Sequence, residues 1–218
     1  MFRTALGILA FSAFSAVASA AIVLNISDGN GTGPFGNITL TQVDNNTVNV
    51  QVALAPNYLL VDTGSHDTFG FNITGSPAVT FSGITAGFGA GTGFSNGFAG
   101  TFAYSITCAP TGTKPPDACA NGGSSGATGP LSFNVDRTVG NLLITDFVAN
   151  TAGYTFAADV FGPKTSGGTG NFTGLVESQG TCATGGIGCI STVPEPITAS
   201  LFGLGLMSLF MLRRRVRG

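Results

Sequence analysis

The chain has 218 residues and a formal net charge of −2, with 43% apolar and only 8% charged residues. Between residues 21 and 193, nine acidic residues stand against three basic ones, so this part has a net charge of −6. A segment with so few cations has no basic surface to neutralise phosphates, which excludes a nucleic-acid-binding protein. The 34 glycines of the chain favour turns, and its many Val, Thr and Phe residues favour strands.

The first twenty residues have the three parts of a secretory signal peptide. Arg3 gives a positive start, an apolar stretch covers residues 5–17, and an A-x-A sequence of small residues closes the segment. The apolar stretch is too short to span a membrane comfortably. A buried N-terminal helix is the alternative interpretation. We predict cleavage between Ala20 and Ala21, which leaves an exported domain over residues 21–192.

The clearest structural pattern is an alternation with period two in GNITLTQVDNNTVNVQVALA. In its second half Val48, Val50 and Val52 alternate with Asn49 and Gln51, which is typical of a strand with one buried face. The Asp-Asn-Asn sequence in the middle supplies turn residues, so the whole stretch predicts a hairpin. Similar alternation predicts further strands at 68–73, 78–82, 100–107, 130–135, 142–148, 154–160 and 172–177.

Many short strands separated by turn residues predict an all-β, antiparallel β-sandwich, and eight or more strands over this length favour a jelly-roll-like arrangement. The stretch ITAGFGAGTGFSNGFAG is too rich in glycine to predict a strand. We interpret it as a long loop with Phe88, Phe94 and Phe98 as its anchors. No stretch before residue 196 has a helical period.

Four cysteines form two pairs that are close in sequence, and behind a signal peptide an even number predicts disulfides. Three connectivities can join them, and the simplest is pairing in sequence order, Cys108 with Cys119 and Cys182 with Cys189. The segment between the first two has three prolines and no apolar period, so we predict an exposed loop stapled by its disulfide. Zinc binding is the rival hypothesis, but the chain has no C-x-x-C spacing and its one histidine is the distant His66.

Residues 193–218 combine a short motif, an apolar run and a cluster of arginines. The motif consists of Val193, Pro194, Glu195 and Pro196. The uncharged run 197–212 would form a helix about 24 Å long, a marginal span for a hydrocarbon core of about 30 Å. Positive charge stays on the cytoplasmic side of a membrane, and here it comes from Arg213, Arg214, Arg215 and Arg217. This order predicts a transmembrane helix with a cytoplasmic C-terminus.

The same arrangement resembles the PEP-CTERM sorting signal of surface proteins from Gram-negative bacteria. The resemblance implies recognition by an exosortase, a membrane-embedded protease of the transpeptidase type found in bacteria that export polysaccharide. It also implies cleavage near the motif, followed by transfer from the inner membrane to the outer surface or the extracellular biofilm matrix. The prolines that flank Glu195 prevent helix formation and keep the strip extended, which suits a protease groove. A plain C-terminal anchor is the alternative.

A short sequence in the middle of the chain, Asp62-Thr63-Gly64, resembles the active-site strip of aspartic proteases. In those enzymes the Asp shares a proton with a second Asp. The chain has no second D-T-G sequence, so only a homodimer could supply the partner. A turn after a strand is the alternative interpretation of the same residues.

The sequence DGNGTG is similar to the opening of a calcium-binding loop. Asp28, Asn30 and Thr32 offer side-chain oxygens at alternate positions, and glycine allows the turn. The twelfth position is Thr39, where such a loop has a bidentate glutamate. A hydrophilic connection at the start of the domain is therefore the main interpretation, with calcium as the alternative.

These patterns favour a secreted, surface-sorted structural or matrix-associated protein that has no catalytic activity and needs no cofactor. Its expected partners are an exosortase, the inner membrane before processing, and the exopolysaccharide of the matrix. A carbohydrate-binding module is the alternative, although the chain has no tryptophan and its tyrosines are only Tyr58, Tyr104 and Tyr154. A homodimeric aspartic protease that uses Asp62 is the third hypothesis.

Overall fold

The computed structural model describes residues 20–29, 33–63, 67–91, 93–96, 99–108, 119, 126–164, 170–179 and 189–192. All of them belong to one compact unit, Ala20–Val193, and one turn of 3-10 helix, Ile144–Asp146, accompanies its strands. The strands in chain order are β1 (Ala21–Ile26), β2 (Asp28–Gly29), β3 (Gly36–Gln42), β4 (Thr47–Leu54), β5 (Leu59–Leu60), β6 (Phe69–Phe71), β7 (Val79–Ser82), β8 (Gly89–Ala90), β9 (Phe94–Asn96), β10 (Gly100–Phe102), β11 (Tyr104–Thr107), β12 (Leu131–Arg137), β13 (Tyr154–Pro163), β14 (Asn171–Gln179) and β15 (Cys189–Thr192).

Antiparallel pairing joins these strands into two large sheets and one small hairpin. The first sheet has the order β15-β1-β3-β4-β12-β7. The second sheet has the order β2-β14-β13-β6-β11-β8, and β5 also pairs with β13. Strands β9 and β10 pair only with each other. The prediction of an all-β, antiparallel fold is confirmed.

The β3–β4 hairpin has the one-sided burial that its sequence predicts. Val48, Val50 and Val52 are fully buried, whereas Asn49 is half-buried and Gln51 is exposed. Leu40 on β3 lies opposite Val50 in the register and is also fully buried. Alternating apolar side chains therefore give this hairpin a core face and a solvent face.

The hydrophobic core lies between the two sheets and is rich in phenylalanine. Phe133 of β12, in the first sheet, meets Phe69 and Phe71 of β6, in the second, with ring centroids 6.0 and 5.9 Å apart. Phe71 also meets Phe81 of β7 edge-on at 6.1 Å. These contacts join both sheets in one buried cluster, so the domain is built like a β-sandwich.

One predicted strand is wrong, because segment 142–148 forms the 3-10 turn instead. The Leu143 N–H donates to Oδ2 of Asp146 at 2.8 Å, and the Ile144 N–H donates to Oε1 of Gln42 at 3.1 Å. Polar side chains thus satisfy backbone groups that a neighbouring strand would otherwise pair. The predicted strand 100–107 is divided into two, since β10 pairs with β9 in the small hairpin and β11 pairs with β6 in the second sheet. The remaining predicted strands are present, with bounds that differ by a few residues.

The glycine-rich stretch is only partly the loop that we predicted, because it contains β8, β9 and the start of β10. Phe88 is half-buried and packs against the core, as expected of an anchor. The side chains of Phe94 and Phe98 lie outside the described residues.

Several predicted features also fall outside the described residues. They are the signal peptide up to residue 19, the calcium candidates Asn30 and Thr32, the cysteine Cys182, and the segment from Val193 to the C-terminus. Within the described ranges, no helix is both long enough and apolar enough to cross a bilayer.

Candidate functional site

The first two residues of the D-T-G sequence lie beside β13. Val61, which precedes them, donates its N–H to the Asp159 carbonyl at 3.0 Å, so the strip runs along that strand. Thr63 donates its N–H to Oδ2 of Asp159 at 2.7 Å, and its hydroxyl donates to the same oxygen. Asp159 is fully buried and accepts both bonds on the side of β13 that faces away from the core.

Asp62 is held by a different set of contacts. The Thr107 hydroxyl, at the end of β11, donates to Oδ2 of Asp62 at 2.8 Å. The Asp62 N–H donates to the Cys119 carbonyl at 3.0 Å. Two carboxylates therefore lie at this strip: that of Asp62 itself, and that of Asp159, which binds the neighbouring Thr63. Both accept hydrogen bonds from threonine side chains of the fold. Gly64, Ser65 and His66 lie outside the described residues.

A second polar pair, Ser105 with Asp67, joins β11 to the neighbouring loop. The Ser105 hydroxyl donates to Oδ2 of Asp67 and accepts the Gly93 N–H at 3.0 Å. A Cβ atom at Gly91 would lie 2.2 Å from both Oγ of Ser105 and Oδ2 of Asp67. Only glycine fits there, so the pair is covered by backbone.

One of the two predicted disulfides is present, and it joins Cys108 to Cys119 with their Cα atoms 5.6 Å apart. Both cysteines are buried, and the Cys108 N–H donates to the Thr68 hydroxyl at 3.1 Å. The disulfide therefore fixes the end of β11, next to the D-T-G strip. The pairing of Cys182 with Cys189 stays a prediction, because it involves side chains outside the described residues.

The outer face of the second sheet buries two acidic residues that the sequence analysis did not single out. Asp159 on β13 and Glu177 on β14 are both fully buried. The β9–β10 hairpin covers this face, since Phe102 packs with Leu175 in a second apolar cluster. An acidic residue inside a strand gives no sequence signal of its burial, because the covering hairpin comes from elsewhere in the chain.

The acidic residues do not form a metal centre in the part of the chain that the structure describes. No group of three or more His, Cys, Asp or Glu residues is arranged there to hold a metal ion. Asp28, the first calcium candidate, begins β2 and pairs in register with Glu177. Its side chain, like Asn30 and Thr32, lies outside the described residues, so calcium binding stays a prediction.

Two of the three tyrosines use their rings and hydroxyls inside the fold. Tyr58 meets Phe35 edge-on at 5.4 Å, and its hydroxyl donates to the Pro163 carbonyl at 3.1 Å. Tyr104 stacks on Phe71 at 5.5 Å. Burial raises the pKa of both hydroxyls above the ordinary tyrosine value. The third, Tyr154, is half-buried and packs against the cluster of Phe102 and Leu175.

The chain enters and leaves the first sheet at the same end. Thr192, the last described residue, pairs with Ala21, and Ala21 pairs on its other side with Thr41. The Gln42 N–H donates to the Ala20 carbonyl at 2.9 Å. We call this edge of the sandwich, marked by Ala20, Ala21, Gln42 and Thr192, the exit end. The predicted motif follows it directly in sequence.

Comparison with family models finds a match that begins at Thr192, at the exit end. Residues 192–215 match the family model of the PEP-CTERM protein-sorting motif. No curated protein and no solved structure matches the chain. The chain therefore carries a PEP-CTERM sorting motif, which confirms the resemblance predicted from the sequence. The motif indicates an exported protein with a membrane-anchored sorting signal, and it implies an exosortase as processing partner.

Proposed function

We propose that this chain is a structural or matrix-associated protein, delivered to the outer surface or extracellular matrix after an exosortase cleaves near Pro194-Glu195-Pro196. The single observation that carries the proposal is the sorting motif at residues 192–215, placed directly behind the last strand of a β-sandwich. In this proposal residues 1–20 are a signal peptide and run 197–212 is a temporary transmembrane anchor. We propose a jelly-roll-like arrangement, which is supported by crossings of the chain between sheets, such as that from β4 in the first sheet to β5 in the second.

We further propose that the sandwich is neither an enzyme nor dependent on a cofactor. Asp62 and Asp159 accept hydrogen bonds from Thr107 and Thr63, and Asp67 accepts one from Ser105. These bonds connect strands and turns, which supports a structural role for the acidic residues. The D-T-G strip is in this proposal a turn that Asp159 stabilises.

The aromatic residues also support a structural role over a carbohydrate-binding module. Sugar-binding faces present aromatic rings to solvent, whereas Tyr58 and Tyr104 pack inside the fold. The exposed large apolar side chains of the described part are aliphatic: Val43, Val139 and Leu143. Flow-through of the full-length protein on an exopolysaccharide column supports the structural role, and specific retention would favour the carbohydrate-binding module.

The sorting step is tested by Glu195→Ala in cells that contain the exosortase. The substitution leaves the apolar run and the arginines intact, so a plain anchor would behave as in the wild type. Under the proposal, uncleaved protein accumulates in the inner membrane. Thr198→Ala, just beyond the motif, is the control and should be processed normally. Mass spectrometry of surface protein measures the result, and an intact C-terminal RRRVRG sequence on exported wild-type molecules would contradict the proposal.

The absence of catalysis is tested by a protease assay over the acid range. We expect the purified wild-type protein to leave peptide substrates intact at every pH. Acid-range cleavage by the wild type that disappears in Asp62→Ala would instead establish the homodimeric aspartic protease.

A further inference from the structure

Three large apolar side chains are exposed on the described surface, and all belong to two neighbouring loops. Val43, Val139 and Leu143 have 55%, 81% and 47% of their surface exposed. Val43 lies in the turn between β3 and β4, and the other two lie between β12 and the 3-10 turn. We call these three residues the exit-end patch.

Hydrogen bonds hold the two loops together. The Leu142 N–H donates to the Asn45 carbonyl at 3.0 Å, and the Arg137 N–H donates to the Asn46 carbonyl at 2.9 Å. The Gln42 side chain donates to the Leu142 carbonyl at 2.7 Å. Every exposed residue of the patch is therefore within two positions of a residue that bridges the loops. The patch exists only in the folded domain, because its loops are far apart in sequence.

The patch lies at the same end of the first sheet as the point where the chain leaves it, and Val43 is its nearest member. Thr192 and Thr41 are both paired with Ala21, and neighbouring strands are about 4.8 Å apart, so their Cα atoms are separated by about 10 Å. Val43 comes two residues after Thr41. Pro194 comes two residues after Thr192, so even an extended chain places it within about 7 Å of the strand end. A protein whose groove binds residues 194–196 must therefore lie against the exit end.

We propose that the exit-end patch is a docking surface for the membrane protease that takes the Pro-Glu-Pro strip, a second contact outside the strip itself. This inference rests on the proposed function. An apolar centre inside a polar rim is typical of a protein–protein interface. Since the patch forms only on folding, the contact would make cleavage faster for folded than for unfolded substrate.

Charge favours a protein over a lipid surface as the occupant. The carboxylates of Asp44, Asp136 and Asp146 belong to the same strand ends and loops, against the single guanidinium of Arg137. Anionic lipid headgroups attract basic segments and repel acidic ones. A partner protein can instead place its own polar groups opposite these carboxylates.

The test compares tail removal in full-length chains that share one motif and differ in the patch. We expect the double variant Val43→Ser with Leu143→Ser to be cleaved about tenfold more slowly, because two apolar contacts are lost from the interface. Its thermal stability should match the wild type, because both side chains are exposed. The control, Val43→Leu with Leu143→Met, keeps the patch apolar and should be cleaved at the wild-type rate.

A linker variant tests whether the patch must lie next to the motif for docking to speed cleavage. Ten Gly and Ser residues inserted between Thr192 and Val193 separate patch and motif by about 17 Å on average. The tenfold effect of the double serine variant should then shrink, because the second contact no longer positions the strip. An undiminished tenfold effect would contradict docking next to the motif.

The remaining outcomes separate this inference from the proposed function. Equal cleavage rates for the wild type and the double serine variant would overturn docking and leave sorting intact. A wild type that is never cleaved would overturn both. Without the protease, hydrogen exchange at residues 42–46 and 138–143 of the full-length protein should be no slower in phospholipid vesicles than in detergent micelles. Slower exchange there in the vesicles would assign the patch to lipid and overturn the proposal.

Discussion

The first sheet is open to solvent on its outer face, whereas the second sheet is buried on both faces along β13. In β4 the outward side chain of Gln51 is exposed. In β13 every residue from 155 to 160 is buried. The difference comes from the β9–β10 hairpin, which lays Phe102 onto the outer face beside Leu175. A period of two in the sequence therefore reveals a strand with one open face, but burial of the second face depends on a distant segment.

Because the β9–β10 hairpin covers it, the outer face of the second sheet contains buried acidic residues. Its outer face carries the fully buried Asp159 and Glu177. A carboxylate at such a position is stable only with hydrogen-bond donors near it, and Thr63 supplies two to Asp159. The outer face of the first sheet carries Asn49 and Ser132, which hydrogen-bond to each other in partial contact with solvent. Substitutions should therefore affect the two outer faces differently.

The largest effect is expected inside the sandwich, where the two sheets are alike. Val50→Asp would place a charge in the core, which costs several kcal/mol of unfolding free energy, so the secretion yield should collapse. Gln51→Asp, one residue along on the open face, should change stability by less than about 0.5 kcal/mol. Thermal denaturation and secretion yield measure both. Equal tolerance at the two positions would show that the assignment of faces is wrong.

The next largest loss of stability is expected when the β9–β10 hairpin no longer packs on the second sheet. Phe102 is almost fully buried, so Phe102→Ala should cost about 3 kcal/mol locally and uncover the outer face of β13 and β14. Hydrogen exchange should accelerate in the β9–β10 hairpin while β3 and β4 stay protected. Thr101→Ala, at the exposed neighbouring position, is the control and should leave exchange unchanged. Uniform acceleration in both sheets would mean that the hairpin belongs to the main core.

Substitution of the buried Asp159 tests how much a covered carboxylate contributes to stability, compared with an exposed residue of the same sheet. Asp159→Ala removes the acceptor of the Thr63 N–H and hydroxyl, which should lower the unfolding free energy by about 1–3 kcal/mol. Thr173 lies on the exposed part of β14, and Thr173→Ala should be close to neutral. Urea denaturation of both variants measures the difference. A neutral Asp159→Ala would show that the carboxylate does not stabilise the turn.

The sequence predicts the first sheet better than the second because local pattern determines more of it. Val48, Val50 and Val52 alternate with polar residues, and the turn before them has a local closing bond, from the Val43 N–H to the Thr47 carbonyl at 3.0 Å. The same alternation runs through Ile22, Leu24 and Ile26 of β1, which we did not predict as a strand, and all three are buried. The sequence signal for β1 is therefore as local as the signal for β4.

Other features depend on contacts between distant segments and could not be predicted. The 3-10 turn replaces a predicted strand because the side chain of Gln42, a hundred residues earlier, bonds to Leu142. The D-T-G sequence considered alone resembles a catalytic strip. Only the folded structure shows that Asp159, from a distant strand, accepts the hydrogen bonds of Thr63. The sorting motif was predictable, since its residues are contiguous in the sequence.

The smallest effect concerns Tyr58, which closes the gap between the sheets at the end opposite the exit end. Its ring contacts Phe35, just before β3, and Phe172 of β14, with centroids 5.4 and 6.3 Å away. A Cβ atom at Gly162 would lie 2.2 Å from the ring, so the glycine makes room for it. Tyr58→Phe keeps this packing and removes only the bond to the Pro163 carbonyl, for about 1 kcal/mol at neutral pH.

At alkaline pH the Tyr58→Phe variant should lose less unfolding free energy than the wild type. Burial raises the pKa of Tyr58 above the value near 10 that it has in the unfolded chain. The stabilisation is therefore complete below about pH 10 and is lost as the pH rises through the raised pKa, because the unfolded state releases the proton first. Tyr58→Phe cannot ionise, so its unfolding free energy should fall less between about pH 9 and 11. Tyr104 keeps part of the decline in both proteins, since burial raises its pKa while Arg137 opposes the shift. Urea denaturation across this range measures the slopes, and parallel curves would show that the Tyr58 hydroxyl titrates as it does in the unfolded chain.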